Sequence, residues 1–158
     1  MIREIHIFDI DGTLVDSSHR YRSKWNGNKL TIDLNHWLEN AHLHYKDTPL
    51  PLADSFAELL QRKDVYTIWC TARTTNQFVA AFDNLISMLG RPHKFFCRPN
   101  NCMESGAILK ARQLKSFLNL KQFQGAKKFF YEDNKSYLDN VCAVIDAVPV
   151  YVESNQGH

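Results

Sequence analysis

The sequence has no apolar run long enough to cross a membrane, which excludes a helical membrane protein. It has no cationic-then-apolar leader. MIREIHIFDI turns strand-like at once, so no export signal is expected. Four cysteines, at 70, 97, 102 and 142, form no CxxC pair, and two of them fall in apolar, strand-like runs. That argues against a disulfide framework or a zinc site and for reduced, mostly buried thiols of a cytoplasmic protein. An excess of one charge sign is also missing: 19 Lys+Arg against 17 Asp+Glu leave a formal +2. Such a balance permits an anionic substrate without establishing a nucleic-acid partner. Internal repeats, low-complexity tracts, long linkers and a GxxxxGK[ST] phosphate loop are absent too. What remains is 158 residues, 44% hydrophobic and 12% aromatic. That length predicts one domain with a sizeable core, in which no second catalytic unit is expected.

Short apolar runs at Ile5–Phe8, Val65–Cys70, Lys94–Cys97, Lys128–Tyr131 and Val148–Val152 predict five strands. Helical spacing lies between them. Leu52, Phe56, Leu59 and Leu60 follow Pro51, and Phe78, Phe82, Leu85, Ile86 and Leu89 precede a stop at Gly90. Segments 105–118 and 135–145 complete the set. Alternating strands and helices predict a three-layer, Rossmann-like α/β sandwich around a mostly parallel five-stranded sheet.

Residues 17–48 break the alternation. Ordinary strand-to-helix loops have about 2–6 residues, so this stretch reads as a small cap-like insertion with a helix at Leu34–His44. It begins beyond the end of the first strand, where open α/β sheets place their ligands. Arg20, Arg22, Lys24, Lys29 and Lys46 outnumber Asp33, Glu39 and Asp47 there, alongside Tyr21, Trp25, Trp37 and Tyr45. Basic groups facing a phosphate and an aromatic stacked on a base would suit a nucleotide or a nucleic-acid end. Alternatively, Trp37 and its neighbours fill the insertion's own core.

The first strand runs into Asp9-Ile10-Asp11-Gly12-Thr13-Leu14, the second into Thr71-Ala72-Arg73 and the fourth into Glu132-Asp133. Lys110 lies in the helical segment between the last two. Alone, Asp-Gly is a common turn and Thr71 a candidate helix cap. Together and in this order they resemble the four motifs of the haloacid dehalogenase-like hydrolases, the DxDGT(L/V) signature among them. Within that superfamily the chain is most similar to the 3′-phosphatase domain of phage-type polynucleotide kinase/phosphatases.

The resemblance implies an Mg²⁺-dependent phosphomonoesterase. Asp9 would be the nucleophile that forms an aspartyl-phosphate, and Asp11 the acid and then base for the leaving oxygen and water. Thr71 would donate to the phosphoryl group, and Lys110 would offset its charge, with Lys115 and Lys127 as alternatives. Thr13 and Arg73 would bind substrate. The metal would be held by the Asp9 and Asp133 side chains and the Asp11 backbone carbonyl. Glu132 stands where the family often has aspartate, and either touches the metal or orients its water. Asp139 reads as an exposed helix charge. Arg73 or Arg98 would suit a second phosphate. Three functions stay open: a polynucleotide 3′-phosphatase, a nucleotidase for small nucleoside monophosphates, or a non-catalytic phosphate-binding domain.

Overall fold

The structure, a computed structural model, describes residues 1–156. In chain order its elements are β1 (Glu4–Phe8), β2 (Val15–Asp16), β3 (Ser23–Asn26), β4 (Lys29–Ile32), α1 (Leu34–Glu39), β5 (Thr48–Pro49), α2 (Leu52–Leu59) and β6 (Val65–Thr74). There follow α3 (Thr75–Leu89), β7 (Lys94–Arg98), α4 (Gly106–Leu118), β8 (Lys127–Glu132), α5 (Lys135–Ile145) and β9 (Val148–Tyr151). Five strands form one sheet in the order β7-β6-β1-β8-β9. Every neighbouring pair in it is parallel. All five expected strands are there, in a doubly covered α/β sandwich.

Strand alternation sends successive side chains to opposite faces. Ile5 and Ile7 pack with Leu114 of α4 and Val141 and Ile145 of α5. Phe8 and Trp69 pack with Phe56 of α2 and with Phe78 and Leu85 of α3. β1 is therefore sandwiched between two apolar clusters, which fixes its C-terminal end and the Asp9 that follows it.

Helix starts are set by side-chain caps. Thr74 and Gln77 form a reciprocal capping box on α3. Ser105 accepts from the Ile108 amide on α4, and Asn134 from the Tyr137 amide on α5. The α3 cap is thus Thr74, and Thr71 lies within β6 instead. Between Cys70 and Thr74 the pairing of β6 with β7 slips, a bulge that re-aims Thr71–Arg73 at the end of the sheet.

The insertion differs from its sequence reading. A hairpin of β3 and β4 precedes the helix, turning at Gly27 with φ 62°. The helix itself ends at Glu39. Asn40 stops it by donating its side-chain amide to the His36 carbonyl at 2.7 Å, and a 3₁₀ turn over Ala41–Lys46 takes the place of the expected continuation.

Candidate active site

The C-terminal ends of β1, β6 and β8 converge at the edge of a cavity of about 470 Å³. At its base Lys110, 1% exposed, donates from Nζ to Asp9 Oδ1 at 2.9 Å and to Glu132 Oε2 at 2.7 Å. Thr13, fully buried, faces Asp9 Oδ2 at 3.4 Å, so it orients that carboxylate and does not line the cavity. The Tyr137 ring lies 5.7 Å from Lys110 Nζ. It presses so close to Gly106 that a Cβ there would stand 2.4 Å from the ring. Gly12, at φ 76°, is fixed in the same way: a Cβ on it would meet Asp133 Oδ2 at 2.2 Å.

Asp9, Glu132 and Asp133 each bring a carboxylate oxygen within 4.8 Å of the others, and all three are buried. Burial, reinforced by the charge of Glu132, pushes the Asp9 carboxyl up to about 8 despite Lys110. Burial and the nearby Asp9 raise Asp133 to about 7. Glu132 is raised chiefly by burial, with Lys110 opposing. Burial disfavours the charge on Lys110, but Asp9 and Glu132 more than offset it and hold its pKa well above the usual lysine value. Three acids facing one ammonium cannot all ionise there without a further counter-charge, and they offer a set of hard oxygen donors. That set suits a divalent cation of the magnesium kind. Glu132 thus joins Asp9 and Asp133 in the cluster, while the Asp11 side chain points elsewhere.

Asp11 is gripped by Arg73, whose Nε donates to Oδ2 at 2.9 Å and Nη2 to Oδ1 at 2.6 Å. Burial pushes this carboxyl up, but Arg73 overrides it and holds the pKa at about 2. The same Nη2 reaches Asp47 at 3.1 Å. Asp47 also takes a forked pair from Arg20, at 3.0 and 2.9 Å, and its Oδ1 lies 2.9 Å from His19 Nε2. Arg73 therefore lines the cavity with its charge already neutralised by two carboxylates. Thr71, 1% exposed, accepts from the Arg73 amide at 3.1 Å.

The insertion's basic residues do not line the cavity, contrary to the expectation that they face substrate: Arg20 is buried, and Arg22, Lys24, Lys29 and Lys46 are exposed at the surface. Arg20 is buried on Asp47 and stacks 4.1 Å over Trp37, and Arg22 binds Asp33 at 2.6 Å. The buried Arg20 guanidinium is held where a carboxylate matches it, and both arginines pair with acids of their own segment. What the insertion offers the cavity is Tyr21, Ile32, Leu34, Trp37 and Leu38. Trp25 is 71% exposed on the hairpin, away from the cavity. The opposite wall carries Gln77, Arg98, Asn101 and Met103. Arg98 donates to the carbonyls of Ala72, Cys102 and Glu104, which pins the 99–104 loop. Asp139 is exposed, as its helix position suggested. Ser17, Asp47 and Gln156 also belong to the site, although nothing in their local sequence marks them.

Residues 1–82 match the model of a family described as the bacteriophage T5 5′-deoxynucleotidase. Among curated proteins, no sequence matches the chain significantly. Among solved structures, a chain of the Pnkp1/Rnl/Hen1 RNA repair complex superposes with TM-score 0.69 at 18% identity, over 97% of this chain and 43% of its own. This chain thus spans less than half the length of that one. The HAD domain of the Legionella pneumophila effector Lem4 follows at TM-score 0.60 and 11% identity, covering 98% of this chain and 87% of that domain. A HAD-superfamily hydrolase from Geobacter sulfurreducens gives 0.52 and 12%, over 92% and 84%. These are likenesses of fold, and the fold is haloacid dehalogenase-like.

Proposed function

The chain belongs to the bacteriophage T5 5′-deoxynucleotidase family, and from that premise we propose that it hydrolyses the 5′-phosphate of deoxynucleoside monophosphates with the help of Mg²⁺. The observation that carries this reading is the cavity over Asp9, about 470 Å³ and roofed by apolar and aromatic side chains of the insertion. Such a space suits one base and sugar. A nucleic-acid backbone would need a basic track, and the insertion's arginines are paired with Asp33 and Asp47 instead.

Asp9, Glu132 and Asp133 would hold the cation, which when bound neutralises charge between an attacking carboxylate and an anionic phosphate. An Asp9 carboxylate oxygen attacks phosphorus, the bond from phosphorus to the sugar oxygen breaks, and an aspartyl-phosphate forms. Lys110 stays protonated and stabilises the charge gathered at Asp9. Asp11 serves the leaving oxygen by letting go of Arg73, which keeps Asp47 as its partner. With Arg73 withdrawn, burial raises the Asp11 pKa against the weaker opposing pull of Arg20, 3.9 Å away, and of Ser17, so that the carboxyl can carry a proton. It then takes a proton from the water that attacks phosphorus, inorganic phosphate leaves, and Asp9 is restored. Trp37 and Leu38 shield the base and keep bulk water from the intermediate.

Release of phosphate from deoxynucleoside 5′-monophosphates by the purified chain tests this. Activity should need Mg²⁺, stop with EDTA, and vanish in Asp9→Asn, which should keep its fold. Undiminished turnover in that variant would overturn the nucleophile assignment. Removal of 3′-phosphates from nucleic-acid ends is the second reading. It draws on the likeness to a chain of an RNA repair complex, but that likeness is one of fold, and the cavity's size and lining favour the mononucleotide.

A further inference from the structure

The segment after β9 is built into the loop that carries the two catalytic aspartates. The Val152 amide donates to the Glu132 carbonyl at 3.0 Å, so the chain continues along the end of β8. Ser154 then packs on Gly12 so closely that a Cβ there would stand 2.6 Å from its hydroxyl. That hydroxyl accepts from the Gln156 amide N–H at 3.0 Å. Gln156, 1% exposed, reaches across to Ser17. Its Oε1 accepts from the Ser17 backbone N–H at 3.2 Å, and its Nε2 donates to the Ser17 hydroxyl at 3.0 Å. A backbone N–H can only donate, so the orientation of this side-chain amide is fixed. With Nε2 donating to it, the Ser17 hydroxyl hydrogen has two acceptors in reach. Asp11 Oδ1 lies at 2.8 Å, and Oε1, already occupied, at 3.2 Å. The shorter contact directs the hydrogen to Asp11.

We propose that Gln156 is a positioning residue for Asp11, acting through Ser17; the inference rests on the phosphatase reading above. When Asp11 lets go of Arg73 to serve the leaving oxygen, Ser17 remains as its anchor and sets the carboxylate's reach. The Gln156 amide keeps that anchor pointing the right way.

The test compares leaving groups. A deoxynucleoside departs as an alkoxide that must be protonated, whereas 4-nitrophenolate leaves without help. In Gln156→Ala and Ser17→Ala, kcat/KM, which reports the steps up to departure of the leaving group and not the later hydrolysis of the shared intermediate, should fall about tenfold further for a deoxynucleoside 5′-monophosphate than for 4-nitrophenyl phosphate. The double variant should lose no more than the worse single one, because both act along one path. Gln156→Glu, which can accept from the Ser17 N–H but not donate to the hydroxyl, should lose at least as much as Gln156→Ala. Equal losses on both substrates, or none, would overturn the inference and leave the phosphatase reading standing. If the wild type cleaves 3′-phosphorylated oligonucleotides but no deoxynucleoside monophosphate, the substrate reading fails, and the same ratio taken on the oligonucleotide decides Gln156. A wild type that cleaves no phosphate ester overturns both. Circular dichroism and thermal melting confirm folding, and Ser17→Ala decides the matter if Gln156→Ala does not fold.

Discussion

The clustered acids at the end of the sheet should make the metal-free protein lose stability as pH rises, and Asp9 should dominate the loss. An aspartate titrates near 4 in an unfolded chain, and burial beside Glu132 raises Asp9 to about 8. Between those values the folded state holds a proton that the unfolded state has released. The Asp9 contribution is therefore full below about pH 4 and falls by about 1.4 kcal/mol per pH unit up to about pH 8. The whole cost of ionising Asp9 in the fold is on the order of 5 kcal/mol. Asp133, raised to about 7, adds a slope of the same sign over a narrower window. Asp9→Asn removes the larger contribution and leaves Lys110 its bond to Glu132. In EDTA at pH 8.5 that inactive variant should melt roughly 10 °C or more above the wild type. Mg²⁺ should raise the wild type much more than the variant, because the cation replaces the proton as counter-charge. Differential scanning fluorimetry from pH 5 to 8.5, with EDTA and with Mg²⁺, reads all of this. A wild-type melting temperature independent of pH in EDTA, or an Asp9→Asn variant less stable than wild type at pH 8.5, would refute the reasoning.

Lys110→Met leaves Asp9 and Glu132 buried without their shared cation. It should cut kcat by about 10²–10³ and destabilise the metal-free protein by about 3–5 kcal/mol at pH 8, measured by steady-state kinetics and urea unfolding. Trp37→Ala opens the apolar roof and should raise KM for deoxynucleotides about tenfold, whereas Trp25→Ala, on an exposed ring outside the cavity, should change KM by less than about twofold. Equal effects of the two tryptophans would argue against the roof as a substrate wall.

Much of this architecture is legible before any coordinates. Five apolar runs mark the five strands, because a strand buried on both faces must be apolar nearly throughout. Asp9, Asp133 and Lys110 stand out through motif order, and the structure brings all three together with Glu132. The insertion is harder to read, since its elements are short and their signals weak. Gly27-Asn28 is a two-residue hairpin signal in its own right, yet the flanking strands have only four residues each. Its arginines look like a substrate-facing surplus until Asp33 and Asp47 are seen to lie against them. Ion pairing between residues eleven and twenty-seven positions apart leaves no trace in composition. Gln156 is further out of reach: it meets Ser17 across 139 positions, and only the folded chain joins them.

The central claim is that the pocket over Asp9, walled by apolar side chains of the insertion, takes a mononucleotide. Its most direct test is kcat/KM, in Mg²⁺, for deoxynucleoside 5′-monophosphates set beside 3′-phosphorylated oligonucleotides and nucleoside 3′-monophosphates. The account predicts that the deoxynucleoside 5′-monophosphates are preferred, with all activity lost in Asp9→Asn. Preference for the oligonucleotide ends would contradict it.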